Sequence, residues 1–115
     1  MPVKIYHNPR CSKSRQTLQL LTDRNIDAEI IEYLKTPPSV SELSQLLKTL
    51  GLSPRQLMRK KEVEYKEAGA DQVDLSDQQL IEIMVANPKL IERPIVIKDG
   101  KAAIGRPPEL VLDIL

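Results

Sequence analysis

Val3-Lys4-Ile5-Tyr6-His7-Asn8-Pro9-Arg10-Cys11-Ser12-Lys13-Ser14-Arg15 reads as a strand, a break and the start of a helix. Val3 to Tyr6 is a short apolar run. Asn8-Pro9 stops it, because proline cannot continue a ladder and Asn-Pro initiates turns. From Ser12 the pattern turns helical. Cys11 therefore falls at a strand–loop–helix junction, at or near a helix N-terminus. Unpaired N–H groups and the positive end of the helix dipole stabilise an anion at such a place. A thiolate is an anion, and so is an oxyanion substrate. Thiols so placed, with cations nearby, have pKa values of ~3.5 to 7.5 instead of ~8.5. Arg10, Lys13 and Arg15 are the local cations, with His7 a further candidate. A lone cysteine is more often a small buried hydrophobe. The polar, basic, loop-like surroundings of Cys11 favour a reactive thiol instead.

The rest of the composition narrows the class. The chain has 115 residues, which suits one domain over 1–115 with one core. Hydrophobic residues make up 41% and charged residues 29%, as in an ordinary globular protein. Tyr6, Tyr33 and Tyr65 are the only aromatics, so the core must come from Leu, Ile and Val. A formal charge of +1 gives no electrostatic case for nucleic acid or a membrane surface. There is no apolar run long enough for a transmembrane helix and no apolar leader at the N-terminus. With one cysteine there is no internal disulfide, no Cys-x-x-Cys pair and no cysteine-rich zinc site. A free reactive thiol fits a reducing, cytoplasmic setting. No metal and no bound cofactor are expected.

The βαβ signal comes first along the chain. Val3–Tyr6 is strand one, Ser12–Arg24 a helix with Leu18, Leu20 and Leu21 as its apolar positions, and Ala28–Leu34 strand two. Asn25 can end the helix in the left-handed region. This order implies parallel strands and a right-handed crossover. Thr36-Pro37-Pro38 is a rigid turn. The middle is helical: Ser39 with Glu42 makes a capping box ahead of Leu43, Leu46, Leu47 and Leu50, which share one face. Gly51 stops that helix. A short helix near Pro54 and one turn around Tyr65 follow, then a loop over 69–75. Ser76 with Gln79 opens another helix, closed by Asn87-Pro88. Ile95 to Lys98 and Lys101 to Ile104 flank Asp99-Gly100, a strong hairpin signal. Pro107 or Pro108 opens a last helix, with Leu110, Val111, Ile114 and Leu115 set toward the core.

A βαβ unit completed by an antiparallel hairpin and a final helix gives a four-stranded mixed α/β sheet. That is the thioredoxin-like layout, with a helical insertion in the middle. In that layout Pro94 stands where a cis-proline faces the cysteine loop, but pattern leaves its isomer open.

Five stretches carry a resemblance: Tyr6-His7-Asn8-Pro9-Arg10-Cys11, Glu32-Tyr33-Leu34-Lys35-Thr36-Pro37-Pro38, Leu57-Met58-Arg59-Lys60, Glu92-Arg93-Pro94-Ile95-Val96 and Ile104-Gly105-Arg106-Pro107-Pro108-Glu109. Together they resemble the glutaredoxin-dependent arsenate reductase family from end to end. The resemblance implies a thioredoxin-like fold and reduction of arsenate to arsenite, with glutathione as co-substrate and glutaredoxin as protein partner. It also implies that Cys11 is the nucleophile and that Arg59, Arg93 and Arg106 bind the oxyanion. His7 matches a histidine that helps to lower the thiol pKa. A monomer is expected. Arg10 and Lys13 differ from the smaller residues of the plasmid-borne type.

The residues alone support the same roles unevenly. A tetrahedral oxyanion needs fixed cations, and the forked donors of arginine match two oxygens at once. Arg93 and Arg106 each sit beside a proline at the end of a core-type strand, where a merely solvating charge is not required. Arg59 competes with Arg55, Lys60 and Lys61, and a lone His7 is more often structural. Ser14 stands where a second thiol would be; it either hydrogen-bonds the thiolate or caps the helix. A Cys-x5-Arg phosphatase would need arginine at Thr17. Two other readings are a non-catalytic regulator of the same fold and a glutathione-linked oxidoreductase with a different substrate.

Overall fold

The computed structural model describes residues 2–115. They cluster into two compact units: one runs from residue 2 to Thr36 and resumes over Arg93–Leu115, and the other is Pro37–Glu92.

The first unit holds the sheet. Its elements are β1 (Val3–Tyr6), α1 (Ser12–Asp23), β2 (Ala28–Ile31), β3 (Ile95–Lys98), β4 (Lys101–Ile104) and a closing 3-10 helix, Pro108–Ile114. The strand order is β2-β1-β3-β4. β1 runs parallel to β2 and antiparallel to β3, and β3 runs antiparallel to β4. This is the expected thioredoxin-like mixed sheet, with α1 as the crossover. Val3, Ile5, Leu21, Val96 and Val111 form the buried centre, with Leu18, Ile26, Ala28, Ala103, Ile114 and Leu115 packed around it. Full burial of each such aliphatic side chain contributes about 1.5–3 kcal/mol.

Strand two and the last helix differ from expectation, and the Pro94 isomer that pattern leaves open is fixed. Strand two stops at Ile31, short of Leu34. The Glu32 carbonyl accepts from the amides of Lys35 and Thr36, so a turn replaces further ladder. The last helix is 3-10, and Leu110 on it is 45% exposed, whereas Val111 is fully buried. Arg93–Pro94 is cis, and so is Arg106–Pro107.

The strand register decides where the chemistry collects. Tyr6 pairs with Ile95, and Ile95 pairs with Ile104. The residues after Tyr6, before Ile95 and after Ile104 therefore emerge at one end of the sheet. Those are the Cys11 loop, Arg93-Pro94 and Gly105-Arg106.

The second unit is helical: α2 (Val40–Leu50), α3 (Pro54–Leu57), α4 (Val63–Glu67), α5 (Asp77–Ala86) and a 3-10 turn at Pro88–Leu90. Reciprocal capping boxes open α2 at Ser39/Glu42, α3 at Ser53/Gln56 and α5 at Ser76/Gln79. Gly51 ends α2 at φ 70°, in the left-handed region that favours glycine. Leu43, Leu46 and Leu47 of α2 are buried, as are Leu80, Ile81 and Met84 of α5. Arg55 ties the irregular segment together. It donates to the Tyr65 hydroxyl at 2.8 Å, the Ala70 carbonyl at 2.8 Å and the Gln72 carbonyl.

Candidate active site

The cysteine loop is a turn closed by its own backbone. The Cys11 amide donates to the Asn8 carbonyl at 3.0 Å, with Pro9 at the second position of the turn, where its fixed φ is favourable. The Asn8 side chain accepts from the Arg10 amide at 3.0 Å. Arg15 donates to the Pro9 carbonyl at 3.0 Å from the first turn of α1. Cys11 itself is the N-cap of α1, with extended backbone and no side-chain cap bond. A thiol in that position leaves the first amides of the helix free to face its sulfur.

The sulfur is largely shielded, since Cys11 is only 9% exposed. Burial pushes the thiol pKa up, but the Ser14 amide, the Arg93 charge, the Lys13 amide and the Arg106 charge pull it down, and the net shift is downward. Nη1 of Arg106 lies 3.9 Å from the sulfur and also donates to the Arg93 carbonyl at 3.3 Å. The charges that lower the thiol pKa therefore come from the far strands. The sequence pointed instead to Arg10, Lys13 and Arg15; Lys13 acts through its amide, and Arg15 is spent on the loop carbonyl.

Ser14 resolves differently from either expected role. Its hydroxyl is fully buried, accepts from the Asn8 amide at 3.0 Å and lies 2.6 Å from Nδ1 of His7. Its amide, not its side chain, serves the sulfur. His7 is buried, and this desolvation lowers its pKa; Glu32 opposes the shift and Arg15 adds to it. His7 is thus neutral near pH 7 and is not one of the local cations. Its neutral ring can accept the Ser14 proton at Nδ1, which ties β1 to α1 beneath the cysteine.

A stability consequence follows for His7. Its folded pKa is depressed, so below about pH 6.5 the unfolded chain takes up a proton that the folded chain resists. Stability is fully present above that pH and is lost as pH falls through the folded value. The urea midpoint of the wild type is expected to drop between pH 7 and pH 5 more steeply than that of His7→Gln. Parallel curves would remove His7 as the cause.

Arg59 belongs to the second unit. Its guanidinium pairs with Glu62 at 2.8 Å and with Glu92 at 4.0 Å, and its amide donates to the Leu90 carbonyl at 2.8 Å. Arg93, Arg106, His7 and Ser14 share the first unit with Cys11. One contributor stood in the sequence only as part of a longer stretch, with no role of its own. Gly105, buried at the end of β4, donates its amide to the Pro94 carbonyl at 2.9 Å, immediately before Arg106. A glycine between a strand and Arg-Pro-Pro was the available signal.

A thioredoxin-like sheet unit with one cysteine capping its first helix, and arginines arriving from two other strands, defines the class of protein. The chain belongs to the ArsC family, whose model matches residues 6–114. It is 57% identical over 114 residues to the uncharacterized protein YfgD of Escherichia coli K12, covering 98% of this chain and 96% of that protein. It is 51% identical over 116 residues to the arsenate reductase of Haemophilus influenzae, covering 100% of both. Among solved structures, the arsenate reductase from Vibrio cholerae superposes with a TM-score of 0.97 at 54% identity, covering 100% of this chain and 98% of that one.

Proposed function

We propose that the protein reduces arsenate to arsenite, with Cys11 as its single nucleophile and glutathione and glutaredoxin as electron donors. The relatives named arsenate reductase support the reaction. The observation that carries the residue assignment is the Cys11 sulfur, facing helix amides and 3.9 Å from Arg106. Arg93 and Arg106 are the cations suited to hold an oxyanion against that sulfur. Arg59 enters as a third oxyanion arginine on its motif match alone, and a raised arsenate KM in Arg59→Ala tests it.

The electron count calls for external thiols, and glutathione with glutaredoxin would supply them. The Cys11 thiolate bonds to arsenic(V), and one arsenate oxygen leaves as water. Glutathione thiolate then attacks the Cys11 sulfur. The S–As bond breaks with its electron pair kept by arsenic, and arsenite departs. Two thiols have become one mixed disulfide. The chain offers no second thiol, since Ser14 has none, so an external thiol resolves the adduct by exchange, the role assigned to glutaredoxin. Glutaredoxin does this by attacking the glutathione sulfur, which returns Cys11 as thiolate. The contact is transient and centred on the Cys11 loop. None of these steps requires a metal or a bound cofactor. A monomer working in a reducing cytoplasm fits the scheme.

The test is a coupled assay with arsenate, glutathione, glutaredoxin, glutathione reductase and NADPH. Arsenite is expected to form over many turnovers with every component present. Removal of glutathione and glutaredoxin together is expected to leave background only. Sustained turnover with thioredoxin alone, glutathione absent, would contradict the donor assignment.

A further inference from the structure

We infer that Gly105 is a positioning residue: the side chain it lacks is what lets Arg106 close on Cys11. The backbone at Gly105 does not need glycine, because positive φ among the glycines is confined to Gly51, Gly69 and Gly100. Space is the reason. A Cβ built at Gly105 would lie 2.5 Å from the Thr17 hydroxyl oxygen, 3.2 Å from the Thr17 methyl and 2.9 Å from Cγ of Pro94. Packed carbon atoms sit about 3.5–4.0 Å apart, so at least two of these contacts are impossible without movement.

Thr17 cannot easily give way. It is fully buried on α1, one turn after Ser14, and its hydroxyl donates to the Lys13 carbonyl at 2.8 Å. Glycine in or beside a strand often marks close approach of another element. Here the end of β4 rests on the α1 face that also carries Ser14 and Leu21. Gly105 is also held by its amide bond to the Pro94 carbonyl. The next residue is Arg106, whose guanidinium bridges the Arg93 carbonyl and the Cys11 sulfur. An added methyl group must push the β4 end off α1. Because Cys11 caps α1 while Arg106 rides on β4, that displacement lengthens the Arg106–Cys11 contact. Thr17 and Gly105 thus form a size-matched pair that sets the distance between nucleophile and cation.

The inference adds a distance-setting pair to the oxyanion role proposed for Arg106, and its test uses no arsenate. Iodoacetate is anionic and iodoacetamide neutral, so the ratio of their rates at Cys11 reads the nearby positive charge. In Gly105→Ala that ratio is expected to fall about two- to fivefold, what a partly exposed ion pair supplies. The pH midpoint of iodoacetamide alkylation should rise with it. Adding Thr17→Ala removes both Thr17 contacts, and the Pro94 ring can repucker, so the double variant should recover toward Thr17→Ala alone. A folded Gly105→Ala with the wild-type ratio and midpoint would overturn the inference. If Gly105→Ala does not fold, the double variant decides. A folded double variant with the ratio of Thr17→Ala supports the pair. A folded one with the ratio of Arg106→Ala, or an unfolded one, refutes it. Wild-type protein inert toward arsenate would sink the proposed activity alone, since the alkylation comparison is unaffected.

Discussion

With Cys11 replaced by serine, arsenite production is expected to fall to the uncatalysed background, a loss of about a thousandfold or more, as deletion of a nucleophile costs elsewhere. The reason is electronic as much as nucleophilic. A serine oxygen is a far weaker attacking group at neutral pH, and it cannot join a second sulfur to release an electron pair to arsenic. The fold should be unaffected. Serine is close to cysteine in shape, the turn is closed by the backbone bond from residue 11 to Asn8, and the Arg106 guanidinium keeps its bond to the Arg93 carbonyl. Chromatographic separation of arsenite from arsenate after a fixed time measures the effect. Turnover by Cys11→Ser near the wild-type rate would show that another group attacks arsenic.

Arg93→Ala and Arg106→Ala should each weaken arsenate reduction by about 1.5–3 kcal/mol, roughly ten- to a hundredfold, the cost of a lost charge-assisted contact. Each variant should also raise the Cys11 thiol pKa, because both charges now act to lower it. Neither should disturb the fold greatly. Arg106 is exposed, and what it holds is the Arg93 carbonyl, a main-chain group that alanine retains. Circular dichroism and melting temperature provide the control. A variant that unfolds yet keeps activity in proportion to its folded fraction would mark that arginine as structural.

The site was legible where local signals and sheet register agree. Val3–Tyr6, the Asn8-Pro9 break and the Asp99-Gly100 hairpin are each readable within a few residues. Once β1, β3 and β4 pair as Tyr6–Ile95–Ile104, the positions of Arg93 and Arg106 follow. What stayed hidden depends on contacts between distant segments. Nothing in Arg10, Lys13 or Arg15 tells a reader that the thiol responds to charges more than eighty residues away. His7 stood open between a further cation and a structural histidine because its burial is invisible in sequence. Ser14 stood open between a thiolate ligand and a helix cap because a sequence does not say which way a hydroxyl turns; it turns to His7, and the amide is left for the sulfur. Strand two was overrun because Tyr33 and Leu34 continue an apolar pattern, while the turn that replaces it is made by a backbone carbonyl. Gly105 carries no chemistry of its own. Its importance appears only when Thr17 and Pro94 are seen packed against it.

A fold that turns Cys11 into a stabilised thiolate must show it in the reactivity of the sulfur. The rate of iodoacetamide alkylation against pH measures that directly. The amides of Ser14 and Lys13 and the charges of Arg93 and Arg106 outweigh burial, so the midpoint is predicted to lie below that of an ordinary free cysteine. A midpoint at or above that value would contradict the account.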